Sequence, residues 1–236
     1  MKPEQKLVEK AKRNAALEAV NHIESNLVVG LGSGSTAAYV IEEIGKKIKR
    51  EDLHVLAVPT SHQAFTLAVK HGIPVTTFEK HYQIDLTIDG ADQIDEELNL
   101  IKGMGGALTR EKIVASASKK LVIVADESKK VKVLGENNHP LPIEVLPFAA
   151  PILMHTISQI GGKPVLREGT KKVGPVITDN SNFIIDAVFG RIHKPAELES
   201  KLKAITGVVE TGLFIKMADV AYIGKPDSTQ KIQRKG

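Results

Sequence analysis

An α/β fold built on a parallel sheet is predicted by three observations. In the first half of the chain, short apolar runs of the buried-strand type alternate with amphipathic helical stretches, and the connections between them are short. Glycine-rich or acidic segments follow several of these runs, as they do at the carboxyl ends of strands in open sheets. After about Gly135 the order becomes strand–helix–strand–strand–helix–strand, which is typical of a split βαβ unit. The sequence therefore predicts a Rossmann-like parallel sheet domain with helices on both faces, plus a smaller α+β ferredoxin-like domain.

The elements of the larger domain follow from apolar spacing and from capping residues. Leu7, Ala11 and Ala15 recur at helical spacing, and Thr60 or Ser61 is a candidate N-cap. Helices are predicted over 3–22, from 35 or 36 to about 49, and from 60 or 61 to 72, and strands over 27–31, 55–58, 74–77, 84–88 and 121–125.

The smaller domain is predicted to interrupt the larger one near its end. Its strands are expected over 141–146, 164–167, 183–189 and 208–214, its helices over 151–160 and 195–205, and a strand over 220–223 could return to the first sheet. The predicted domains are residues 1–134 with 207–236 for the α/β domain, and 135–206 for the small one.

Composition excludes several classes of protein. The 236 residues include no Cys, which excludes a disulfide framework, a thiolate metal site and a Cys nucleophile. The net charge of +4 is small, the basic residues are interspersed with acidic ones, and aromatic residues make up only 4% of the chain. A nucleic-acid partner is therefore not expected. The charged N-terminus has no apolar signal core and no apolar run is long enough to span a bilayer. We therefore expect a soluble cytoplasmic protein without a membrane partner.

The first candidate motif, residues 30–36, reads GLGSGST and lies between a predicted strand and a predicted helix. Its glycines and hydroxyls, at a helix N-terminus, can hold a phosphate, or they can simply form a tight turn with hydroxyl caps. No Lys follows the last glycine, so this is not a Walker A loop. Ser35 stands where a dinucleotide fingerprint has its third glycine, and a single phosphate is the better interpretation.

The second candidate motif, residues 85–92, reads DLTIDGAD, with Asp89 and Asp92 just past a predicted buried strand. Two carboxylates there can act as acid and base or contact sugar hydroxyls, whereas the simplest alternative is Asx-turn chemistry. A magnesium site is a further alternative because three acidic residues, 95–97, follow.

The third candidate motif, residues 102–112, reads KGMGGALTREK and places Glu111 in the first turn of a helix, where the helix dipole by itself favours an acidic residue. The fourth, DESK at 126–129, offers Lys129 after another strand, and an ordinary surface lysine is the alternative. All four motifs are predicted to lie at one edge of one sheet. Neither a redox-cofactor motif nor a metal motif accompanies them.

These motifs resemble those of the type A ribose-5-phosphate isomerases, and the resemblance extends from about Leu7 to Asp227. It implies that Glu111 is the proton-transferring base, that no metal or cofactor is needed, and that the protein is a homodimer or homotetramer to whose assembly the small domain contributes. The implied substrate-binding residues are Ser33, Gly34, Ser35, Thr36, Asp89, Gly90, Ala91, Asp92, Lys102, Gly103, Met104, Gly105 and Lys129. Met104 departs from the family pattern, which commonly has a third consecutive glycine there, and Ser33 and Gln93 replace a frequent Thr and Glu.

The expected reaction is the interconversion of D-ribose 5-phosphate and D-ribulose 5-phosphate through an enediolate, in the non-oxidative branch of the pentose phosphate pathway. Glu111 would move the proton, Lys102 would stabilise the developing oxyanion, and Asp89 and Asp92 would open the cyclic sugar and hold its hydroxyls. Two alternatives are a non-enzymatic sugar-phosphate sensor and an acyl-CoA transferase-like enzyme with Glu111 as nucleophile. A nicotinamide dehydrogenase is a more distant one.

Overall fold

The computed structural model describes residues 3–234, which form two compact units. The first unit comprises the chain up to Ala91, Arg110–Lys130 and the chain from Lys216, and the second comprises Asp92–Thr109 and Val131–Ile215. Residues 92–109, 131–134 and 207–215, which the sequence analysis assigned to the α/β domain, thus belong to the second unit. Four residues of the predicted α/β domain, Met1, Lys2, Lys235 and Gly236, lie outside the described residues.

The described residues form six α-helices and thirteen strands. The helices are α1 Pro3–Val20, α2 Ser35–Glu51, α3 His62–Lys70, α4 Leu108–Ser116, α5 Ala150–Gln159 and α6 Pro195–Lys203. The strands are β1 Val28–Leu31, β2 Leu56–Pro59, β3 Leu86–Gly90, β4 Gln93–Ile94, β5 Leu100–Ile101, β6 Leu121–Asp126, β7 Leu141–Val145, β8 Lys163–Leu166, β9 Phe183–Val188, β10 Val208–Thr211, β11 Leu213–Phe214, β12 Val220–Gly224 and β13 Thr229–Gln233. Within residues 3–234, no helix is long and apolar enough to cross a membrane.

The first unit contains a six-stranded sheet in the order β13-β12-β6-β3-β1-β2. All neighbouring strands pair in parallel except β13, which runs antiparallel to β12. Every residue of β6 is buried, as expected for a central strand covered on both faces. Helix α1 packs so closely on the sheet that a Cβ at Gly224 would lie 1.9 Å from the carbonyl oxygen of Ala11. The prediction of a parallel sheet flanked by helices is confirmed.

The second unit contains a four-stranded antiparallel sheet in the order β10-β7-β9-β8, with α5 and α6 as its helices. This is the strand order of a ferredoxin-like βαββαβ unit, which confirms the predicted class. The buried side chains of Ile143, Val145, Leu153 and Ile185 lie in one apolar cluster. A separate three-stranded sheet, β11-β5-β4, completes this unit.

Two strand predictions were wrong. Residues 74–77 form no strand, and only Val75 makes an isolated bridge, to Ala57. The single strand predicted over 208–214 divides at Gly212 into β10 and β11, which belong to different sheets. A Cβ at Gly212 would lie 2.3 Å from the carbonyl oxygen of Lys102, so this position needs a glycine where the chain changes sheet. Strands β4, β5 and β13 were not predicted.

Candidate active site

The carboxyl ends of three neighbouring parallel strands, β1, β3 and β6, carry three of the four predicted motifs to one edge of the first unit's sheet. The first motif follows β1, where Ser33 and Gly34 are half-buried. Gly34, with φ 96°, is the N-cap residue of α2 and has no side chain to accept the first amides of the helix. Helix amides in this situation favour an anion. Ser35 and Thr36 form the first turn of α2, and Ser35 is exposed.

The loop of residues 32–36 is held by polar side chains of its own unit. The Ser33 hydroxyl hydrogen-bonds with the Thr60 hydroxyl at 2.7 Å and with the Ser61 hydroxyl at 2.5 Å. The Gly34 amide donates to Oε1 of Gln63 at 2.8 Å. The loop is therefore ordered by contacts with the β2–α3 connection and the first turn of α3.

Asp89, near the end of β3, is a buried carboxylate at this edge, with 1% of its surface exposed. Its Oδ1 accepts the amides of Ser33 at 3.1 Å and of Gly90 at 2.7 Å. A Cβ at Gly32 would lie 2.1 Å from the same oxygen, which explains the glycine. The strand ends of β1 and β3 are thus joined through one carboxylate, because its Oδ1 accepts one amide that follows β1 and one at the end of β3.

Glu111 lies in the first turn of α4 and is 5% exposed, so it is far more enclosed than an acidic residue placed there only by the helix dipole. Lys129 is half-buried in the 3₁₀ turn after β6. That turn begins at the buried Asp126, whose Oδ1 accepts the Ser128 amide at 3.0 Å. Gly90 and Ala91 are half-buried: Gly90 is the last residue of β3, and Ala91 is the last residue of the first segment of this unit.

Lys12 was missed by the sequence analysis. Its ammonium group, on α1, donates to the Ser35 hydroxyl at 3.1 Å and to Oε1 of Glu9 at 2.9 Å, and its side chain is only 14% exposed. The pKa of Glu9 lies below its ordinary value, mainly because Lys12 donates a hydrogen bond to it and secondly because the Tyr39 hydroxyl does. A lysine in a charged amphipathic helix gives no local signal, since the contact depends on how α1 packs.

The remaining candidates, Asp92 and Lys102–Gly105, belong to the second unit. The prediction that all four motifs lie at one sheet edge was wrong for the third motif. Lys102 follows β5 of the three-stranded sheet, and its amide donates to the Gly212 carbonyl at 2.9 Å. Lys102 is 3% exposed, with its Nζ 5.4 Å from the ring centroid of Phe214, close enough for a cation–π interaction.

The loop after Lys102 begins with Gly103 and continues through the exposed residues Met104 and Gly105. The Met104 amide donates to Oδ2 of Asp92 at 3.0 Å. Gly103 has a φ of 103°, a backbone conformation that only glycine adopts easily.

Of the three acidic residues after Asp92 that were considered as a magnesium site, Asp95 is used by the backbone. Oδ1 of Asp95 accepts the amides of Glu97 at 2.9 Å and Asn99 at 2.8 Å, which is Asx-turn chemistry. Burial raises the pKa of Asp95. Over the described part of the chain, no group of three His, Cys, Asp or Glu side chains is arranged to hold a metal ion.

The carboxyl edge of this parallel sheet carries helix N-terminal amides that favour an anion, a carboxylate and a lysine. These features define an α/β protein of the class that binds small ligands at that edge. Residues 56–228 match the model of the family ribose 5-phosphate isomerase A (phosphoriboisomerase A), and this chain belongs to that family. The ribose-5-phosphate isomerase A of Methanosarcina acetivorans is 49% identical over 221 residues, covering 94% of this chain and 93% of the relative.

Two solved structures are similar over nearly the whole chain. The ribose 5-phosphate isomerase A of Methanocaldococcus jannaschii is 44% identical, with a TM-score of 0.91 over 95% of this chain and 99% of the other. A D-ribose-5-phosphate isomerase in complex with phospho-erythronic acid is 45% identical, with a TM-score of 0.93 over 96% of this chain and 99% of that one.

Proposed function

We propose that this chain is an aldose–ketose isomerase that interconverts D-ribose 5-phosphate and D-ribulose 5-phosphate through an enediolate. Family membership supports the substrate, and the observation that carries the chemistry is a buried carboxylate, Glu111. An isomerisation between neighbouring carbons needs one base to take a proton from one carbon and return it to the next. Glu111 is that base, and the reaction then requires no hydride carrier.

The other candidate residues divide the remaining work. Lys102 stabilises the oxyanion that forms when the proton leaves, as buried cations do at developing negative charge. Asp89 and Asp92 hold the sugar hydroxyls and assist ring opening. The loop 33–36, with Lys12 beside Ser35, binds the phosphate, whose binding energy positions the reacting carbons. Gly90, Ala91, Gly103, Met104, Gly105 and Lys129 complete the proposed substrate contacts.

The test is formation of ribulose 5-phosphate from ribose 5-phosphate by the purified protein in EDTA, beside Glu111→Gln. Because positioned general bases contribute on the order of 10²–10⁴-fold, kcat should fall by at least about 10²-fold in the folded variant. Glu127→Gln is the matched control: it is an exposed glutamate of the same unit, paired with Lys225 at 2.9 Å, and should retain wild-type activity.

The outcomes separate the activity from the role of the base. No turnover by the wild type would overturn the proposed isomerase. Near-normal turnover by a folded Glu111→Gln variant would leave the isomerase but overturn Glu111 as its base. Activity that requires an added metal would overturn the metal-free chemistry.

We also propose that the protein is cytoplasmic and forms a homodimer or homotetramer, with no nucleic-acid partner. The second unit exposes large apolar side chains, among them Phe148 and Val173, each 99% exposed, and Ile152. Exposed apolar side chains mark an association surface where they form a contiguous patch. Light scattering on the wild type and on Phe148→Ser tests the assembly, since a monomeric wild type would contradict it.

A further inference from the structure

Arg167 directly follows β8 and continues the pairing with β9. Its amide donates to the Ile184 carbonyl at 2.9 Å, and its carbonyl accepts the Val176 amide at 2.8 Å. Asp186 lies two residues beyond Ile184 on β9, so Arg167 and Asp186 are diagonal neighbours on one face of the sheet. The sequence analysis assigned no function to either residue.

The guanidinium of Arg167 forms a two-pronged ion pair with Asp186. Nε donates to Oδ2 at 2.7 Å and Nη2 donates to Oδ1 at 2.5 Å. The two side chains are only 13% and 19% exposed, so the pair is shielded from water. This geometry fixes the plane of the guanidinium and directs its remaining donors.

Those remaining donors reach the glycine-rich loop of residues 102–106. Nη1 donates to the carbonyl oxygens of Gly103 at 3.0 Å and Met104 at 3.1 Å, while Nη2 lies 3.9 Å from the Met104 sulfur. One side chain thus fixes two successive peptide carbonyls. A lysine in its place has a single ammonium group and lacks the planar fork.

The same loop is held at its amides. The Met104 amide donates to Oδ2 of Asp92 at 3.0 Å, and the Gly106 amide donates to the Gly103 carbonyl at 3.0 Å. The peptide between Gly103 and Met104 is therefore fixed by Arg167 at its carbonyl and by Asp92 at its amide. Every group in this chain of contacts, from Asp186 to Asp92, belongs to the second unit.

We propose that Arg167 is a positioning residue for the isomerisation: it sets the backbone of Gly103–Met104, and thereby places Asp92 and the neighbouring Lys102. The inference rests on the proposed function, in which Asp92 and Lys102 act on the sugar phosphate. Without the guanidinium, the Met104 carbonyl loses its donor, the Gly103 carbonyl keeps only the Gly106 amide, and the Met104 amide no longer holds Asp92 in one place. A displacement of about 1 Å in a catalytic group costs on the order of 10²-fold in rate.

A purely structural ion pair predicts something different from a positioning residue. If the pair only stabilised the β8–β9 hairpin, Arg167→Met and Asp186→Asn would lower stability alike and leave activity unchanged in the folded protein. A positioning role predicts an asymmetry, because Asp186→Asn keeps the guanidinium and its two carbonyl contacts while Arg167→Met removes them.

The experiment measures kcat and KM for ribose 5-phosphate together with amide hydrogen exchange in the segment 99–110. Four proteins are compared: wild type, Arg167→Met, Asp186→Asn and the control Arg191→Met. Arg191 belongs to the same unit, its side chain is 67% exposed, and its Nη2 lies 3.5 Å from Oε1 of Glu136. Within residues 3–234, no hydrogen bond or ion pair described above joins Arg191 to the loop. Arg167→Lys replaces Arg167→Met if the latter does not fold.

For Arg167→Met we expect kcat/KM to fall about 10²-fold, mainly in kcat, and exchange within 102–106 to accelerate at least about tenfold. Asp186→Asn should lose about tenfold or less, and Arg191→Met should match the wild type. An Arg167→Met protein with kcat/KM within about threefold of wild type, or with unchanged exchange in 102–106, overturns the inference. An inactive wild type would instead overturn the proposed function, and the exchange data would still decide whether Arg167 holds the loop.

Discussion

The two glycine-rich loops of this chain are held in different ways, although contacts with the substrate are proposed for both. The loop 32–36 is fixed by the hydroxyls of Thr60 and Ser61, which follow β2, and by the carboxylate of Asp89, near the end of β3. The loop 102–106 is fixed by an arginine from a hairpin more than sixty residues away, with separations of 64 and 63 residues for its two carbonyl contacts.

The difference shows two ways to build a rigid loop from glycines. In the first loop, Gly32 must be a glycine because Asp89 crowds its backbone, whereas Gly34 is needed for its positive φ. In the second, Gly103 is needed for its positive φ, and nothing lies within 4 Å of a Cβ placed at Gly105. The space beside Gly105 suits the close approach of a ligand.

The largest expected effect comes from replacing the crowded glycine, Gly32, with alanine. In Gly32→Ala the new Cβ would lie 2.1 Å from Oδ1 and 2.5 Å from Cα of Asp89, so the backbone must move. We expect a loss of about 3 kcal/mol in the free energy of unfolding and on the order of 10²-fold in kcat/KM.

Gly105→Ala is the matched variant for this comparison. Because its Cβ meets nothing within 4 Å, stability should change by less than about 0.5 kcal/mol, and any loss of activity reports contact with substrate. Denaturant titration and steady-state kinetics on both variants provide the measurements. Equal destabilisation by the two substitutions would contradict the distinction between crowded and open glycines.

Sequence patterns predicted the parts of this molecule that depend on local chemistry. Ser61 was a predicted cap, and its hydroxyl accepts the Ala64 amide at 3.1 Å. The apolar runs that became β1, β3 and β6 were found because buried parallel strands are apolar on both faces. The polar residues that follow these three strands were correctly expected at one sheet edge.

The failures depend on contacts between distant residues. Lys102 follows a two-residue strand, β5, too short to produce a periodic pattern, so its motif was placed on the wrong sheet. Lys12 and Arg167 are ordinary basic residues until α1 and the β8–β9 hairpin bring them to the two loops. Neither position has a local sequence feature that distinguishes it from other basic residues.

A second, smaller effect is expected from Ser33→Ala. The substitution removes the hydroxyl that joins the first loop to Thr60 and Ser61. A lost hydrogen bond of this kind costs about 1 kcal/mol, and we expect KM for ribose 5-phosphate to rise about fivefold with kcat within about twofold. The control is Ser116→Ala, whose exposed hydroxyl donates to the Ile113 carbonyl at 2.8 Å and should be neutral. A lower kcat at unchanged KM would place Ser33 in the chemical step and not in phosphate binding.

The smallest expected effect concerns Glu9, which holds Lys12 beside the first loop. The pKa of Glu9 lies below its ordinary value because the Lys12 ammonium and then the Tyr39 hydroxyl donate to it. A carboxylate with a lowered pKa in the folded state contributes stability that is fully present above its unfolded pKa and is lost as pH falls through the folded pKa. Since the pair is partly exposed, Glu9→Gln should cost only about 0.5 kcal/mol at neutral pH, and this difference from wild type should vanish in acid. Urea unfolding at a series of pH values measures it, and a difference that stays constant into acid would show that Glu9 contributes through packing instead of charge.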